Sequence, residues 1–209
     1  MQENHPDPDI LLEKLVELAG LSLQFGQVNR VTVCPDKVTP ESDTDHTFML
    51  GLFACVLQEY CAPELNRGKI AEYALIHDFV EVYAGDTMSL GLHDKSAKEA
   101  REHQALLRIK SEYDGVFPWI GEAIEKYESL IEPEARFVKV LDKLMPGITH
   151  QLNEGCMFEV VGVAIEDIRK QKEIQHAWVK ETAHEWPLLI ELYEKGLAKI
   201  FALPFFNQK

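Results

Sequence analysis

Two histidines and two aspartates from three separate stretches, His46, His77–Asp78 and Asp142, make up a mixed nitrogen and oxygen donor set suited to a divalent metal ion. Each lies in or at the start of an expected helix, among apolar neighbours. A charged carboxylate in such a setting is costly unless it is paired or bound to a cation. The stretch Ala74 to Asp86 shows this most clearly: it opens as an apolar helical run, then sets His77, Asp78 and Glu81 where core residues are due. On one continuous helix these three approach the same side, and Gly85 then ends the helix before Asp86. Taken singly, each residue has a plainer explanation. His77, Asp78 and Glu81 could form a buried ion pair, His46 a cap or core contact, and Asp142 with Lys143 a surface pair. Yet Asp142 falls between Val138, Leu141 and Met145, towards the apolar stripe of its helix.

The elements that must position these groups read as helices almost throughout. Asp9 can cap a first helix from Ile10 to Gly26, apolar enough to need several neighbours. Residues 27–45 are turn-rich and long for a structureless loop, a length often kept for function, with a short hairpin through Val31 to Val38. Asp43 or Thr44 caps the next helix, with His46 in its first turn and Phe48, Met49, Leu52, Phe53, Val56 and Leu57 on its buried face. Pro63 and Glu64 open the helix carrying His77, and Ser96 caps another. Pro118 to Leu130 is short and amphipathic. Pro133 starts the helix of Asp142, which Pro146–Gly147 should break. A long helix from about 158 to 184 and a last one from Pro187 to Phe201 follow. The fold class is all-α.

The 209 residues suit one domain with a substantial core. A net charge of -14 argues against a nucleic-acid polymer as partner, because phosphate backbones need clustered Lys and Arg; one small phosphorylated ligand needs only a local cationic pocket. Cys34, Cys55, Cys61 and Cys156 form no CxxC pair, which points to reduced thiols and a cytoplasmic location. No signal-peptide pattern and no membrane-spanning apolar run are expected. The apolar first helix and the Leu203–Phe206 tail are compatible with a homodimer interface or with ordinary packing.

The order His, then His-Asp, then a distant Asp resembles the HD superfamily of metal-dependent phosphohydrolases. Arg30, Thr44–Asp45–His46, His77–Asp78 with Glu81, Gly85–Asp86 and Asp142–Lys143 together resemble its small 5′-deoxynucleotidase branch. The resemblance implies a single HD-type helical domain over residues 1–209, with a motif-bearing core at about 24–152 and further helices at about 158–201. It implies His46, His77, Asp78 and Asp142 as ligands of one divalent metal, with Mn, Co, Mg, Zn, Fe and Ni not distinguished. Glu81 would position water or move a proton, Asp86 would meet the sugar or leaving group, and Arg30 would hold a phosphate oxygen. Lys143 would add positive charge, or be an ordinary surface lysine. The implied reaction removes the 5′-phosphate of a deoxynucleoside monophosphate by attack of metal-bound water.

Val31 stands where that branch typically carries a tryptophan, and the extra room opens an alternative: a deoxynucleoside triphosphate cut at the same phosphorus, releasing triphosphate. A different class, a helical binding module with a structural metal, would need a closed site and no Arg30. His93, His103, His150, His176 and His184 match no second-metal spacing and are expected in surface or core roles. Gly85 and Gly91 form no phosphate-cradling loop.

Overall fold

The structure is a computed structural model describing residues 6–87 and 95–207, the Lys95 side chain excepted; His93 and Gly91 lie outside the described residues. Helix α1 (Pro8–Phe25) is capped by Asp7, not Asp9, through Oδ1 accepting from Asp9 N at 2.8 Å. It buries only Leu21 and Phe25, while Ile10, Leu12, Leu15, Val16 and Leu23 stay exposed, so its apolar sequence does not translate into packing on many neighbours.

The turn-rich stretch folds as an antiparallel hairpin, β1 (Asn29–Val33) and β2 (Pro40–Ser42), pairing Asn29 with Ser42 and Val33 with Pro40. The hairpin is framed wider than Val31 to Val38, because Asp36 Oδ1 accepts from both Val38 N and Thr39 N and makes that segment the turn. Helix α2 (Asp43–Cys61) follows without a linker. Ser42, rather than Asp43 or Thr44, is its cap, closing a capping box with Asp45. Its buried face carries His46, Thr47, Leu50, Ala54 and Gln58; of the six residues expected there, Met49, Phe53 and Leu57 are half-buried against the core, whereas Phe48, Leu52 and Val56 face out.

Asn66 caps α3 (Arg67–Ile76), three residues beyond Pro63. This helix stops before His77. Residues 77–80 form a tight turn in which Phe79 N bonds Ile76 O and Glu81 N bonds Asp78 O, and only then does the single turn α4 (Glu81–Ala84) begin, ended by Gly85 at φ 72. Past it come α5 (Lys95–Tyr113), in which Ser96 is an internal residue and not the cap, and α6 (Trp119–Ser129). Helix α7 (Pro133–Leu152) runs through Pro146 without ending, against expectation. Pro146 has no N–H for the Asp142 carbonyl, but dense burial of the flanking residues, from Leu141 to Met145 and at Gly147 and Thr149, holds the helix together. The expected long helix at 158–184 is two: α8 (Cys156–Val161) and α9 (Ile165–Thr182), separated where Gly162 takes φ 67. Helix α10 (Pro187–Phe201) and a 3-10 turn (Pro204–Asn207) complete the chain, with Phe206 buried against Phe158, Ile168 and Ile200.

The main core joins α2, α3, α6, α7, α9 and α10 around Tyr73, Tyr127, Phe137, Leu141 and Trp186. A second joins α1, α4, α5 and α6 around Phe79, Ile109 and Ile124. The hairpin is tied to the end of α7 by Asn153, whose Nδ2 donates to Val33 O at 2.8 Å from a fully buried position. The all-α reading holds but for that hairpin, which is small and carries Arg30. Among the described residues no helix is long and apolar enough to cross a membrane.

Candidate metal centre

Three helical segments bring the two imidazoles and two carboxylates to one point. His46 comes from the first turn of α2, His77 and Asp78 from the turn after α3, and Asp142 from the middle of α7. One donor atom from each lies within 4.8 Å of every other, and His46, His77 and Asp142 are buried. Donors around one ion at roughly 2.1 Å can be at most about 4.2 Å apart, so the four atoms must draw together to enclose a cation. Each imidazole is held by its far nitrogen. His77 Nδ1 donates to Ala74 O at 2.8 Å, which leaves Nε2 with the lone pair in the neutral ring. That Nε2 lies 3.0 Å from Asp78 Oδ2 but is misaligned for a hydrogen bond, and it is otherwise an unsatisfied buried atom. His46 is gripped from both sides, Nδ1 against Glu41 Oε1 at 3.2 Å and Nε2 against Asp142 Oδ1 at 3.1 Å.

Charge explains why the arrangement calls for a cation. Burial opposes a charged His46, but its hydrogen bonds with Asp142 and Glu41 prevail and raise its pKa to about 9. The proton held between His46 and Asp142 is the one a metal would displace. Burial and then the charges of Asp78, Asp86 and Asp43 push Glu81 up to about 10, only partly relieved by Lys98 at 3.5 Å. Asp43 is raised to about 6, chiefly by burial and by Asp78. Arg30 Nη1 donates to Asp78 Oδ2 at 3.0 Å and Asp43 Oδ1 at 3.4 Å, and Lys143 Nζ donates to Asp142 Oδ2 at 2.7 Å. An excess of carboxylates over nearby cations, with Glu81 Oε2 and Asp43 Oδ2 unsatisfied, is a donor set that a divalent ion fits.

A cavity of about 480 Å³ adjoins the cluster at Asp142, a size typical of small-molecule sites. Arg30, Asp86 and Lys143 line it, as do Val31, Pro146, Phe158, Lys172, Gln175 and Trp178.

The comparisons with known proteins agree with this geometry. Residues 24–182 match the family model described as HD domain, well over half of the chain. The chain belongs to the HD domain family. This HD domain chain is 33% identical over 131 residues to 5′-deoxynucleotidase HDDC2 of Danio rerio, a match covering 58% of the chain and 64% of the relative. With the Homo sapiens protein of the same name it shares 32% over 130 residues, 58% of the chain and 62% of the relative. The match thus spans a little under two thirds of these relatives' length. In fold it is similar to a predicted metal-dependent phosphohydrolase from Magnetospirillum magnetotacticum MS-1, with TM-score 0.72, 24% identity and coverage of 93% of this chain and 96% of that one. The PH0347 protein of Pyrococcus horikoshii OT3 follows at TM-score 0.55 and 22% identity, covering 88% and 98%.

Within this HD domain, Glu81 and Asp86 reach the site from α4 and the loop after it, not from a helix shared with His77. The turn at 77–80 redirects the chain so that Asp78 and Glu81 still face one charge cluster, as their mutual influence on Glu81 shows. Sequence reasoning missed Glu41, Asp43, Lys98 and the whole α8–α9 wall. Glu41 had a faint signal, a carboxylate next to Ser42 and close before His46; Lys98 had none, because only the packing of α4 on α5 brings it near. Of the other histidines among the described residues, His150 also lines the cavity. His176 Nε2 lies 2.8 Å from Glu194 on the surface, His184 Nδ1 donates to Glu181 O, and His150 is buried against Phe158 with its pKa lowered to about 4, chiefly by burial. His103 is exposed.

Glu41 accepts from Thr32 Oγ1 at 2.8 Å as well as facing His46, so it both anchors and orients that imidazole. Removing such a partner of a metal-ligating histidine typically costs 10- to 100-fold in metal affinity. Glu41→Gln is therefore expected to weaken divalent-metal binding by about that factor, measured by competition with a chromogenic chelator. Unchanged affinity would show that Glu41 does not orient a ligand.

Proposed function

We propose that this chain is a metal-dependent phosphohydrolase that removes the 5′-phosphate of deoxynucleoside monophosphates. The observation that carries the reading is the convergence of His46, His77, Asp78 and Asp142 beside a nucleotide-sized cavity that Asp142 lines together with Arg30 and Lys143. The similar curated proteins bear the name 5′-deoxynucleotidase, which supports the same class of substrate. A single divalent ion held by those four residues would acidify water and offset phosphoryl charge.

The chain's own residues would do the rest. Arg30, already held by Asp78 and Asp43, presents a guanidinium fork to non-bridging phosphate oxygens. Lys143 adds a second positive charge on the opposite side of Asp142. Glu81, whose pKa is raised by burial and then by its carboxylate neighbours against the opposing charge of Lys98, can give its proton to the leaving 5′ oxygen and take one back from water. Asp86 lines the cavity where a 3′ hydroxyl can donate to it, and crowding there would disfavour a 2′ hydroxyl.

A purely structural metal site would be closed, and this cluster opens on a cavity. Val31 lines that cavity too, and its small side chain keeps the triphosphate alternative specific enough to test. The experiment is product identification from dAMP, AMP, dATP and ATP with Mn, Co, Mg and Zn compared. Orthophosphate from dAMP, at least about 10-fold faster than from AMP, is expected, since one misplaced buried polar contact is worth about 1–3 kcal/mol. Preference for AMP would overturn the sugar assignment, and triphosphate from dATP would replace the reaction.

A further inference from the structure

We propose that the wall of the cavity formed by α8 and α9 is a nucleobase subsite, in which Lys172 and Gln175 select bases whose major-groove edge presents carbonyl oxygens, guanine and thymine, over those presenting an amine, adenine and cytosine. The proposal rests on the nucleotide reading of the same site.

Position comes first. Asp142 and His150 both line the cavity and lie on one helix, so at 1.5 Å per residue the space extends about 12 Å along α7 from the candidate metal donor. A phosphate fixed at Arg30 and Lys143 leaves the nucleoside to lie along that length, with its base against α8 and α9. The surfaces there suit a flat heterocycle. Met157, Phe158, Ile174 and Trp178 are apolar or aromatic, and Phe158 is backed by the His150 ring at 4.2 Å between centroids.

The polar groups in this wall then set the preference. Lys172 Nζ donates to Gln175 Oε1 at 2.8 Å, and Tyr193 Oη donates to the same oxygen at 2.9 Å. Two donors on Oε1 fix the amide orientation, so its NH₂ is the end left to offer. The ammonium of Lys172 spends one of its three hydrogens on that bond, and among the described residues it has no carboxylate within ion-pair distance. Burial, then the charge of Lys143, lowers its pKa to about 8, so it is predominantly charged at neutral pH. Gln171 and the neutral His150 ring also line the cavity, but at Lys172 and Gln175 the groups on offer are N–H donors, which match guanine O6 and N7 or thymine O4 and mismatch the exocyclic amines of adenine and cytosine. The same cationic group could serve a longer phosphate chain, but the surrounding apolar and aromatic side chains favour a base.

The test is calorimetric binding of dGMP, dTMP, dAMP and dCMP to the chelator-treated chain at pH 7, where no turnover intervenes. The expected result is tighter binding of dGMP and dTMP than of dAMP and dCMP by about 10- to 100-fold. Lys172→Met should erase that difference. Lys172→Gln, which offers an acceptor as well as a donor, should raise dAMP and dCMP affinity relative to dGMP. Equal binding of all four, or a preference that survives both variants, would overturn the subsite, as would a uniform loss for all four nucleotides in both variants. Binding with the expected preference but no orthophosphate release from any nucleotide once a divalent metal is restored would instead sink the hydrolase reading and leave the subsite standing.

Discussion

Asp142→Asn should abolish orthophosphate release, by about 10³-fold or more, together with at least a 100-fold loss of metal affinity. The substitution keeps the shape of the side chain and removes only its charge. In the folded chain that charge is held well below the ordinary carboxylate range, against its burial, by Lys143 and by the hydrogen bond with His46. An amide cannot replace it as an anionic donor, and it leaves Lys143 and His46 without their shared counter-charge. Because Asp142 lies on a well-packed helix and Asn keeps its shape, circular dichroism should show the fold retained. Full metal content with full turnover would remove Asp142 from the centre.

Glu81→Ala should separate binding from chemistry, lowering kcat by roughly 10²- to 10⁴-fold while sparing metal content. Glu81 belongs to α4, outside the four-donor cluster, yet it shares the field of Asp78, Asp86 and Asp43. Its carboxyl is forced to remain protonated well above the usual carboxylate range, the condition for a general acid near neutral pH. Removing it takes away a proton donor but no net charge and none of the four donor atoms, so metal affinity should hold. The readout is a kcat loss with KM within a few fold and metal stoichiometry unchanged. A parallel loss of metal would make Glu81 a ligand instead.

The centre was legible in the sequence because the expense of burying charge leaves a mark. His46, His77, Asp78 and Asp142 interrupt apolar stripes, and such interruptions require a reason whatever the exact helix bounds. Details that depend on a single turn were not legible. The break at 77–80 comes from i→i+3 bonds in a run whose composition reads as continuous helix. Pro146 reads as a stop, but burial along α7 outweighs one lost hydrogen bond. The cap at Ser42 competes with Asp43 and Thr44 next to it, and in a helix apolar on most sides tertiary packing picks the inner stripe: Met49, Phe53 and Leu57 pack on the core, while Phe48, Leu52 and Val56 do not. The α8–α9 wall carries no motif at all: Lys172, Gln175 and Trp178 become neighbours of Asp142 only because Gly162 folds one apparent helix into two.

The central claim is that one divalent ion at His46, His77, Asp78 and Asp142 drives phosphate release from a deoxynucleoside monophosphate. The most direct measurement removes metal with a chelator and titrates it back while following orthophosphate release from dAMP. Activity should vanish on chelation and return in proportion to metal, reaching its plateau at one equivalent per chain. Orthophosphate release that persists in the chelated protein, or a plateau reached only at two equivalents, would contradict it.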